Sequence, residues 1–423
     1  MQALARQPGV GCARGAGATG RGAGAAGGAV RAASSGSGGA AGGAARAASS
    51  GSDGAAGGAA RATAAPGSWR MPARRGPPPA AAAARLAERQ AFSKREVVQL
   101  GSLQVSPMGL GTWSWGNRLL FGYDPSMDGE LQAAFNASVA AGVNIFDTAD
   151  SYGTGTLNGR SETLLGRFIR EYPGSPRVAA NLHVATKFAS YPWRLTPGNI
   201  VASCKGSLRR TGLDQLSLGQ LHWSAKKYFP LQEWALVNGL ADCHNQGLVA
   251  EVGVSNYGAR ELRRVARDFE RRGIKLASAQ VQYSLLSCGP AQREVAAVAA
   301  DLGVVLIAYS PLALGLLTGK YSEASLPPGP RGGLFKRLLP GIAPLTRALD
   351  AVAASRRRTV SQVAINWCMA KGTVPIPGAK DLAQARANLG ALGWRLSAGE
   401  VAELDAAAAR CSSAMVQNIF QTA

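Results

Sequence analysis

Short apolar runs that suit β-strands alternate with helix-length amphipathic segments from Met108 to Ala391. Because strands that alternate with helices pair in parallel, this pattern predicts a parallel sheet covered by helices. There are eight runs, which is the number of units in a (β/α)8 barrel. The predicted strands are Met108–Leu110, Asn144–Asp147, Val184–Lys187, Leu216–His222, Ala250–Val254, Ser278–Gln282, Val304–Tyr309 and Thr373–Ile376.

Helical segments occupy the intervals between these strands. The predicted helices are Asp128–Ala141, Ser161–Arg170, Pro197–Arg210, Pro230–Gln246, Ala259–Arg272, Pro290–Leu302, Leu345–Ala370 and Asp381–Ala391. Ahead of them, Val97–Val105 predicts a small hairpin that turns at Gly101 and Ser102. An open, doubly wound sheet is the alternative architecture. It is disfavoured because the first strand runs into GLGTWSWG, which lacks the glycine spacing of a dinucleotide-binding fingerprint.

The first 84 residues differ from the rest in composition. They hold nine Arg, no Lys and one acid, with almost no large apolar side chain, so they cannot bury enough surface to offset their chain entropy. The string RAASSGSGGAAGGAA at 31–45 recurs at 46–60 with one change, as low-complexity sequence. Arg and Ser without acids are typical of an organelle transit peptide, and a plain disordered tail is the alternative. We expect 1–84 to be a transit segment and linker, 91–411 the barrel and 412–423 a C-terminal tail.

Several classes of function are disfavoured by what the sequence lacks. No run approaches the 18 apolar residues of a membrane span. The six Cys form no CxxC pair and the three His show no ligand spacing, which argues against a disulfide framework or a metal site. The N-terminal Arg residues have no interleaved aromatic side chain before Trp69 that could stack on bases. The repeated Arg residues of 260–271 fit the solvated face of a helix. We therefore expect no nucleic-acid partner.

Four polar side chains stand at or shortly after the carboxyl ends of three consecutive strands, where barrel enzymes carry their reactive groups: Asp147, Tyr152, Lys187 and His222. Each also has a structural alternative. Asp147 could be a helix cap, Tyr152 a loop aromatic, Lys187 a solvated charge and His222 a core histidine. Their convergence favours a catalytic set. In such a set the Lys cation lowers the pKa of the phenol, the carboxylate keeps the Lys charged, and the imidazole donates a hydrogen bond to a substrate carbonyl.

The order of several motifs resembles that of the aldo-keto reductases. NIFDTADSYG, VATKF, LHW, GVSN, AQVQY, YSPLALGLLTGKY and IPGAKDLAQARAN follow one another between Val97 and Leu396. TWSWG, YPWRLT and the terminal QNIFQT are similar to strings of the chloroplast members of the family. The resemblance implies a (β/α)8 barrel in which Tyr152 donates a proton to a carbonyl oxygen while a nicotinamide transfers hydride to the carbonyl carbon.

By the same resemblance, side chains after the later strands hold NADPH. Ser255, Asn256 and Gln280 match residues that bind the nicotinamide carboxamide, and Tyr309 matches the ring that stacks on the nicotinamide. The remaining predicted cofactor residues are Thr112 and Trp113 after the first strand, Ser310, Leu312 and Gly315 under the pyrophosphate, Lys320 and Arg331 in the loop after the seventh strand, and Gly378, Lys380, Gln384 and Asn388 around the adenosine 2′-phosphate and adenine. Gly378 stands where many members carry Lys, so Lys380 is the cation expected to favour NADP over NAD.

The sequence therefore predicts an imported, NADPH-dependent reductase of aldehydes or ketones. A nicotinamide-binding regulatory or scaffold protein with little turnover is the alternative from another class. The aromatic residues Trp113, Trp115, Tyr191, Trp193 and Trp223 are candidate walls for an apolar substrate, or packing residues.

We expect a small carbonyl substrate, no metal, and a monomer or weak oligomer. The expected location is the chloroplast, in the stroma or at its lipid droplets, the plastoglobules. The basic, apolar stretch Gly332–Leu345 contains two Pro and predicts a surface loop that covers the cofactor or makes peripheral contact with lipid.

Overall fold

A computed structural model describes residues 88–422, and the predicted transit segment lies outside this range. The strands are β1 (Val98–Leu100), β2 (Leu103–Val105), β3 (Leu110–Gly111), β4 (Ile145–Asp147), β5 (His183–Phe188), β6 (Leu216–Leu221), β7 (Val249–Ser255), β8 (Leu276–Gln282), β9 (Val305–Tyr309) and β10 (Val374–Pro375). The helices are α1 (Arg118–Phe121), α2 (Asp128–Ala140), α3 (Arg160–Arg170), α4 (Pro176–Ala179), α5 (Pro197–Thr211), α6 (Pro230–Asn245), α7 (Ala259–Glu270), α8 (Pro290–Asp301), α9 (Pro330–Leu338), α10 (Ala343–Arg356), α11 (Val360–Ala370), α12 (Leu382–Leu389) and α13 (Ala398–Ala409).

Strands β3 to β10 form one parallel sheet in chain order. The sheet closes on itself, because the Gly109 N–H donates to the Pro375 carbonyl (2.9 Å) and the Gly111 N–H donates to the Pro377 carbonyl (3.1 Å). Glycine is required at this seam, since a Cβ on Gly111 would lie 2.8 Å from the Ile376 carbonyl oxygen. With helices following the strands, the architecture is the predicted (β/α)8 barrel.

The predicted hairpin is confirmed as β1 and β2, which pair antiparallel about a turn at Gly101, where φ is +58°. Its buried side chains Leu100 and Val105 pack against apolar side chains that point into the barrel, among them Ile145 and Leu218. We call this apolar cluster the floor. It closes the end of the barrel at which the strands begin, so the opposite end, the mouth, is the open one.

The structure corrects the prediction of a single helix over Leu345–Ala370. Two helices, α10 and α11, cover this stretch, and Arg357 between them has a left-handed backbone with φ of +52°. Thr359 then begins α11 with a capping box, in which its side chain accepts from the Gln362 N–H and the Gln362 side chain accepts from the Thr359 N–H. The apolar periodicity continues across the break, which is why the sequence pattern predicts one helix.

The structure also corrects the prediction of a loop at Gly332–Leu345. This stretch forms most of α9, a short 3-10 helix at Leu339–Ile342 and the start of α10. Phe335 and Leu345 are fully buried against the body of the protein. The apolar side chains that suggested lipid contact therefore face inward. Among residues 88–422, no helix is both long enough and apolar enough to cross a bilayer.

Candidate active site

A cavity of about 640 Å³ lies at the mouth, at the carboxyl ends of the barrel strands. Because the loops after the strands converge there, residues from distant parts of the sequence share one space. Every predicted site residue except Thr112 and Lys187 lines the cavity. Thr112 is buried behind it, where its hydroxyl donates to the Asp147 carbonyl (2.9 Å) and so supports the end of β4.

Lys187, near the end of β5, is 1% exposed and lies beneath Tyr152. Its ammonium donates to Asp147 Oδ2 and to the Thr148 carbonyl, each at 2.6 Å, and stands 4.8 Å from the centroid of the Tyr152 ring. Burial lowers the pKa of Lys187, whereas the Asp147 carboxylate opposes that shift by favouring the charged form. The result is a buried ion pair held against the face of a phenol.

Tyr152 does not have the lowered pKa that the sequence argument predicts. Burial raises its pKa well above the ordinary value of 10.0, and the charge of Asp147 adds to the rise. Lys187 lies over the ring face and gives its hydrogen bonds to the Asp147 carboxylate and a backbone carbonyl, not to the Tyr152 hydroxyl. The hydroxyl of Tyr152 is consequently protonated at neutral pH and available as a donor.

His222 follows β6 and faces Tyr152, with the two ring centroids 5.8 Å apart and the ring planes at 71°. Its backbone N–H donates to the Phe188 carbonyl (3.0 Å), which fixes the start of the loop. Burial lowers the pKa of His222 well below 6.5, and the charges of Lys187 and Arg194 lower it further. The imidazole is therefore neutral at neutral pH.

An ion pair that the sequence reasoning missed lies beside this set. The Arg194 guanidinium is 2.7 Å from Asp150 Oδ2, and the Ala189 N–H donates to Asp150 Oδ1 (3.1 Å). Asp150 is two residues before Tyr152, so the pair ties the loop after β4 to the loop after β5. ADSYG and YPWRLT each carry one partner, but nothing in the sequence links them.

Gln280 and Asn256, two of the residues predicted to bind the nicotinamide carboxamide, are held by hydrogen bonds to other strand ends. The Gln280 side-chain amide donates to Asp147 Oδ1 (2.7 Å), and the Asn256 amide donates to the His222 carbonyl (3.0 Å). The Tyr309 hydroxyl donates to Asn256 Oδ1 (2.8 Å). The first contact joins the ends of β4 and β8, and the other two join the ends of β6, β7 and β9.

The far end of the cavity is formed at the start of α12. Asp381 is the N-cap of this helix and accepts from the Gln384 backbone N–H (2.7 Å) and from its side-chain amide. The Lys380 N–H donates to Gln384 Oε1 (3.2 Å), and the Asn388 amide donates to the Gly378 carbonyl (3.1 Å). Asp381 is an acid among the cavity residues that the sequence reasoning assigned only to the helix start.

Aromatic side chains wall the cavity near Tyr152. Trp113 meets Phe121 edge to face with centroids 5.2 Å apart, and Trp223 stacks on Phe420 at 4.4 Å. All four line the cavity. Phe121 and Phe420 were missed because they come from the short helix α1 and from the C-terminal tail, neither of which carried a signal for the site.

The other three candidate wall residues have different places. Trp115 is fully buried and its indole N–H donates to the Ala379 carbonyl (3.1 Å), so it is a packing residue. Tyr191 and Trp193 stack on each other at 4.6 Å and do not line the cavity. Within the described range 88–422, no three His, Cys, Asp or Glu side chains are grouped as metal ligands.

Comparison with known proteins agrees with this architecture. The model described as the aldo/keto reductase family matches residues 107–409. Chloroplastic pyridoxal reductase from Arabidopsis thaliana is 55% identical over 325 residues, which cover 77% of this chain and 89% of that protein. An aldo-keto reductase from Strobilurus tenacellus is 30% identical over 321 residues, which cover 72% of this chain and 89% of that protein.

Solved structures show the same similarity. An aldo/keto reductase from Klebsiella pneumoniae in complex with NADP and acetate aligns with a TM-score of 0.57 at 26% identity, covering 74% of this chain and 94% of that one. A thermostable aldo-keto reductase with the inhibitor epalrestat aligns with a TM-score of 0.57 at 25% identity, covering 73% and 97%. The chain described here belongs to the aldo/keto reductase family.

Proposed function

We propose that this protein reduces an aldehyde or ketone to an alcohol with NADPH, and that Tyr152 donates the proton. The observation that carries the proposal is the half-buried Tyr152 phenol, which has the Lys187 ammonium 4.8 Å from its ring centroid and the ring centroid of a neutral His222 5.8 Å away at a second strand end. A pure binding protein would have no need to bury an ion pair beneath a phenol at the mouth.

Each side chain has a distinct task in this proposal. Tyr152 holds its proton at neutral pH and releases it only when a substrate oxygen gains negative charge. Lys187, held by Asp147 at 2.6 Å, then stabilises the phenolate that remains. Neutral His222 donates a hydrogen bond to the same substrate oxygen and so fixes the carbonyl against Tyr152. The buried ion pair is thus arranged for the charge that develops during the reaction.

The donor set of the cavity fits a nicotinamide dinucleotide phosphate. Asn256 and Gln280 offer amides at the Tyr152 end, whereas Lys320, Arg331 and Lys380 bring positive charge to the rest of the lining. The start of α12 adds the positive end of a helix dipole. When bound, the nicotinamide supplies the hydride. NADP-bound crystals of the Klebsiella relative support this choice of cofactor.

We propose flat aromatic aldehydes as the substrate class, with pyridoxal as the first candidate. Trp113, Phe121, Trp223 and Phe420 supply ring surfaces beside Tyr152 and His222, and such surfaces bind planar rings by stacking. The name of the Arabidopsis relative, pyridoxal reductase, supports the same class.

The test is NADPH oxidation by the full-length protein with pyridoxal, benzaldehyde, a linear aldehyde, a ketone and a quinone. We expect the highest kcat/KM among the ring aldehydes. Similar values for the linear aldehyde would contradict the substrate class. NADPH binding without turnover of any carbonyl compound would instead favour the regulatory or scaffold alternative.

We also propose that the protein is located in the chloroplast. The Arg-rich, acid-poor composition of residues 1–84 and the chloroplastic relative support this location. A fluorescent protein fused to residues 1–84 should accumulate in plastids of plant cells. The same fusion with the Arg residues of this region replaced by Glu is the control, and cytosolic fluorescence of the unaltered fusion would contradict the proposal.

A further inference from the structure

Residues 412–422, the tail segment, run across the mouth of the barrel. The Met415 N–H donates to the Leu286 carbonyl (2.9 Å) in the loop after β8. Further along, the Thr422 N–H donates to the Asn256 carbonyl (3.1 Å), and the Gly258 N–H donates to the Thr422 hydroxyl (2.9 Å). The tail segment is therefore attached at two separate points, to the loop after β8 and to the loop after β7, and the second loop carries the candidate cofactor residue Asn256.

Between these two points, Asn418 contacts Tyr309, the ring that the family resemblance predicts to stack on the nicotinamide. Its side-chain amide donates to the Tyr309 hydroxyl (3.0 Å), which in turn donates to Asn256 Oδ1 (2.8 Å). The hydroxyl thus has one partner in the tail segment and one in the loop after β7. Two partners on different elements fix the direction of the Tyr309 ring.

The neighbours of Asn418 have different environments. Phe420 lines the cavity and stacks on Trp223, whereas Ile419 is 79% exposed and does not line the cavity. Asn418 lines the cavity beside Tyr309. The motif QNIFQT therefore offers a polar contact for the cofactor end, an aromatic contact for the substrate end, and an exposed residue between them that touches neither.

We propose that Asn418 is a positioning residue that holds Tyr309 in place for the nicotinamide ring, so that the tail segment forms part of the cofactor site. This inference rests on the proposed function, since it takes NADPH as the cofactor and Tyr309, as predicted from the sequence, as the ring that stacks on its nicotinamide. A ring that is already fixed loses less conformational freedom when a ligand stacks on it, so the hydrogen bond from Asn418 increases cofactor affinity by preorganisation.

The first experiment measures the Kd for NADPH from its fluorescence in titrations of the full-length protein. Asn418→Ala should weaken binding about two- to tenfold, which corresponds to the loss of one neutral hydrogen bond. Ile419→Ala is the matched control from the same segment and should leave the Kd unchanged. An unchanged Kd for Asn418→Ala would overturn the inference.

The second experiment separates positioning from loosening of the tail segment, because Asn418 also accepts from the Phe420 N–H (3.0 Å). In a Tyr309→Phe background the hydroxyl is gone, so adding Asn418→Ala should cause no further loss of NADPH affinity. A further loss there would overturn the inference, since the contact with Tyr309 would not be its route. Wild-type protein that fails to bind NADPH would overturn the proposed function as well, and this result is distinct from the other two.

Discussion

The two ends of the barrel interior carry opposite kinds of side chain. At the floor, Leu100, Ile145 and Leu218 belong to an apolar cluster whose members need no specific partner. At the mouth, Asp147 and Lys187 are buried as ions, and each depends on hydrogen bonds to remain so. The floor thus stabilises the fold through buried apolar area. At the mouth, burying charged side chains has a desolvation cost, which the stability of the rest of the fold offsets.

The outer surface of the described residues shows the same difference between the ends. Its exposed large apolar side chains lie in the segments that follow β3, β5 and β6 or in the tail segment, and they are Trp113, Leu119, Leu120, Trp193, Leu195, Tyr228, Phe229, Leu231, Trp234, Val416, Ile419 and Phe420. All of these segments are at the mouth. The exposed large apolar side chains of the described residues therefore lie on the mouth side of the barrel, and two of them, Trp113 and Phe420, line the cavity.

The largest effect is expected at the mouth, from Tyr152→Phe. The variant lacks the transferable proton but keeps the ring, so kcat for carbonyl reduction should fall by about 10²–10⁴. NADPH affinity and the melting temperature should stay close to the wild-type values. Tyr228→Phe, at an exposed tyrosine outside the cavity lining, is the control. Near wild-type turnover of Tyr152→Phe would contradict the assignment of the proton donor.

A comparable change at the floor should act on stability alone. Leu100→Ala removes a fully buried side chain and should lower the free energy of unfolding by about 2–5 kcal/mol, while kcat per folded molecule is unchanged. Urea unfolding and steady-state kinetics measure the two quantities. Leu119→Ala, at an 80% exposed position, should change neither. A lower kcat for Leu100→Ala would show that floor and mouth are coupled.

A smaller effect is expected at the far end of the cavity. If Lys380 binds the 2′-phosphate, Lys380→Ala loses a charge-assisted hydrogen bond of about 1.5–3 kcal/mol, and NADPH binding should weaken roughly tenfold to a hundredfold. NADH binding should stay almost unchanged, because NADH lacks that phosphate. Fluorescence titration with both cofactors tests this, with Lys336→Ala at an exposed position as control. Equal weakening of both cofactors would exclude this role for Lys380.

The smallest effect concerns the response to acid. The pKa of His222 is well below 6.5 in the folded state because of burial and the nearby charges of Lys187 and Arg194. Below pH 6.5 the unfolded chain takes up a proton that the folded chain does not, so the free energy of unfolding falls by up to about 1.4 kcal/mol per pH unit. His222→Gln should remove this share of the pH dependence between pH 6.5 and 5 in denaturant unfolding.

His183, at the start of β5, gives a control at the opposite end of the barrel. Its pKa is also lowered by burial, although a hydrogen bond to the backbone of Gln104 raises it in part. His183→Gln should therefore flatten the acid dependence less than His222→Gln and leave turnover unchanged. Equal slopes for His222→Gln and the wild type would contradict the neutral state of the mouth histidine.

Much of the barrel and of its site could be predicted because the relevant signals are local. Strand and helix periods are repeated along the chain, and Asp147, Lys187 and His222 each stand at or beside a predicted strand end. The position of Lys187 under the Tyr152 ring could not be predicted. The order of the strands places the two residues at neighbouring strand ends, but it does not show in which direction their side chains point. The contact between Asn418 and Tyr309 has no local signal either, because it joins residues that are far apart in the chain.

The seam between β3 and β10 has a consequence for how the protein is made. During synthesis from the amino end, the hairpin and the first barrel strands emerge early, whereas the partner of Gly111 is supplied only by the segment around Pro377. Long-range pairing of this kind bears a large loop-closure entropy and forms late. A nascent chain therefore passes through a stage with an open wall, and the floor is unfinished at that stage because Val374 and Ile376 belong to it. During this stage the unpaired edge strands can join other chains.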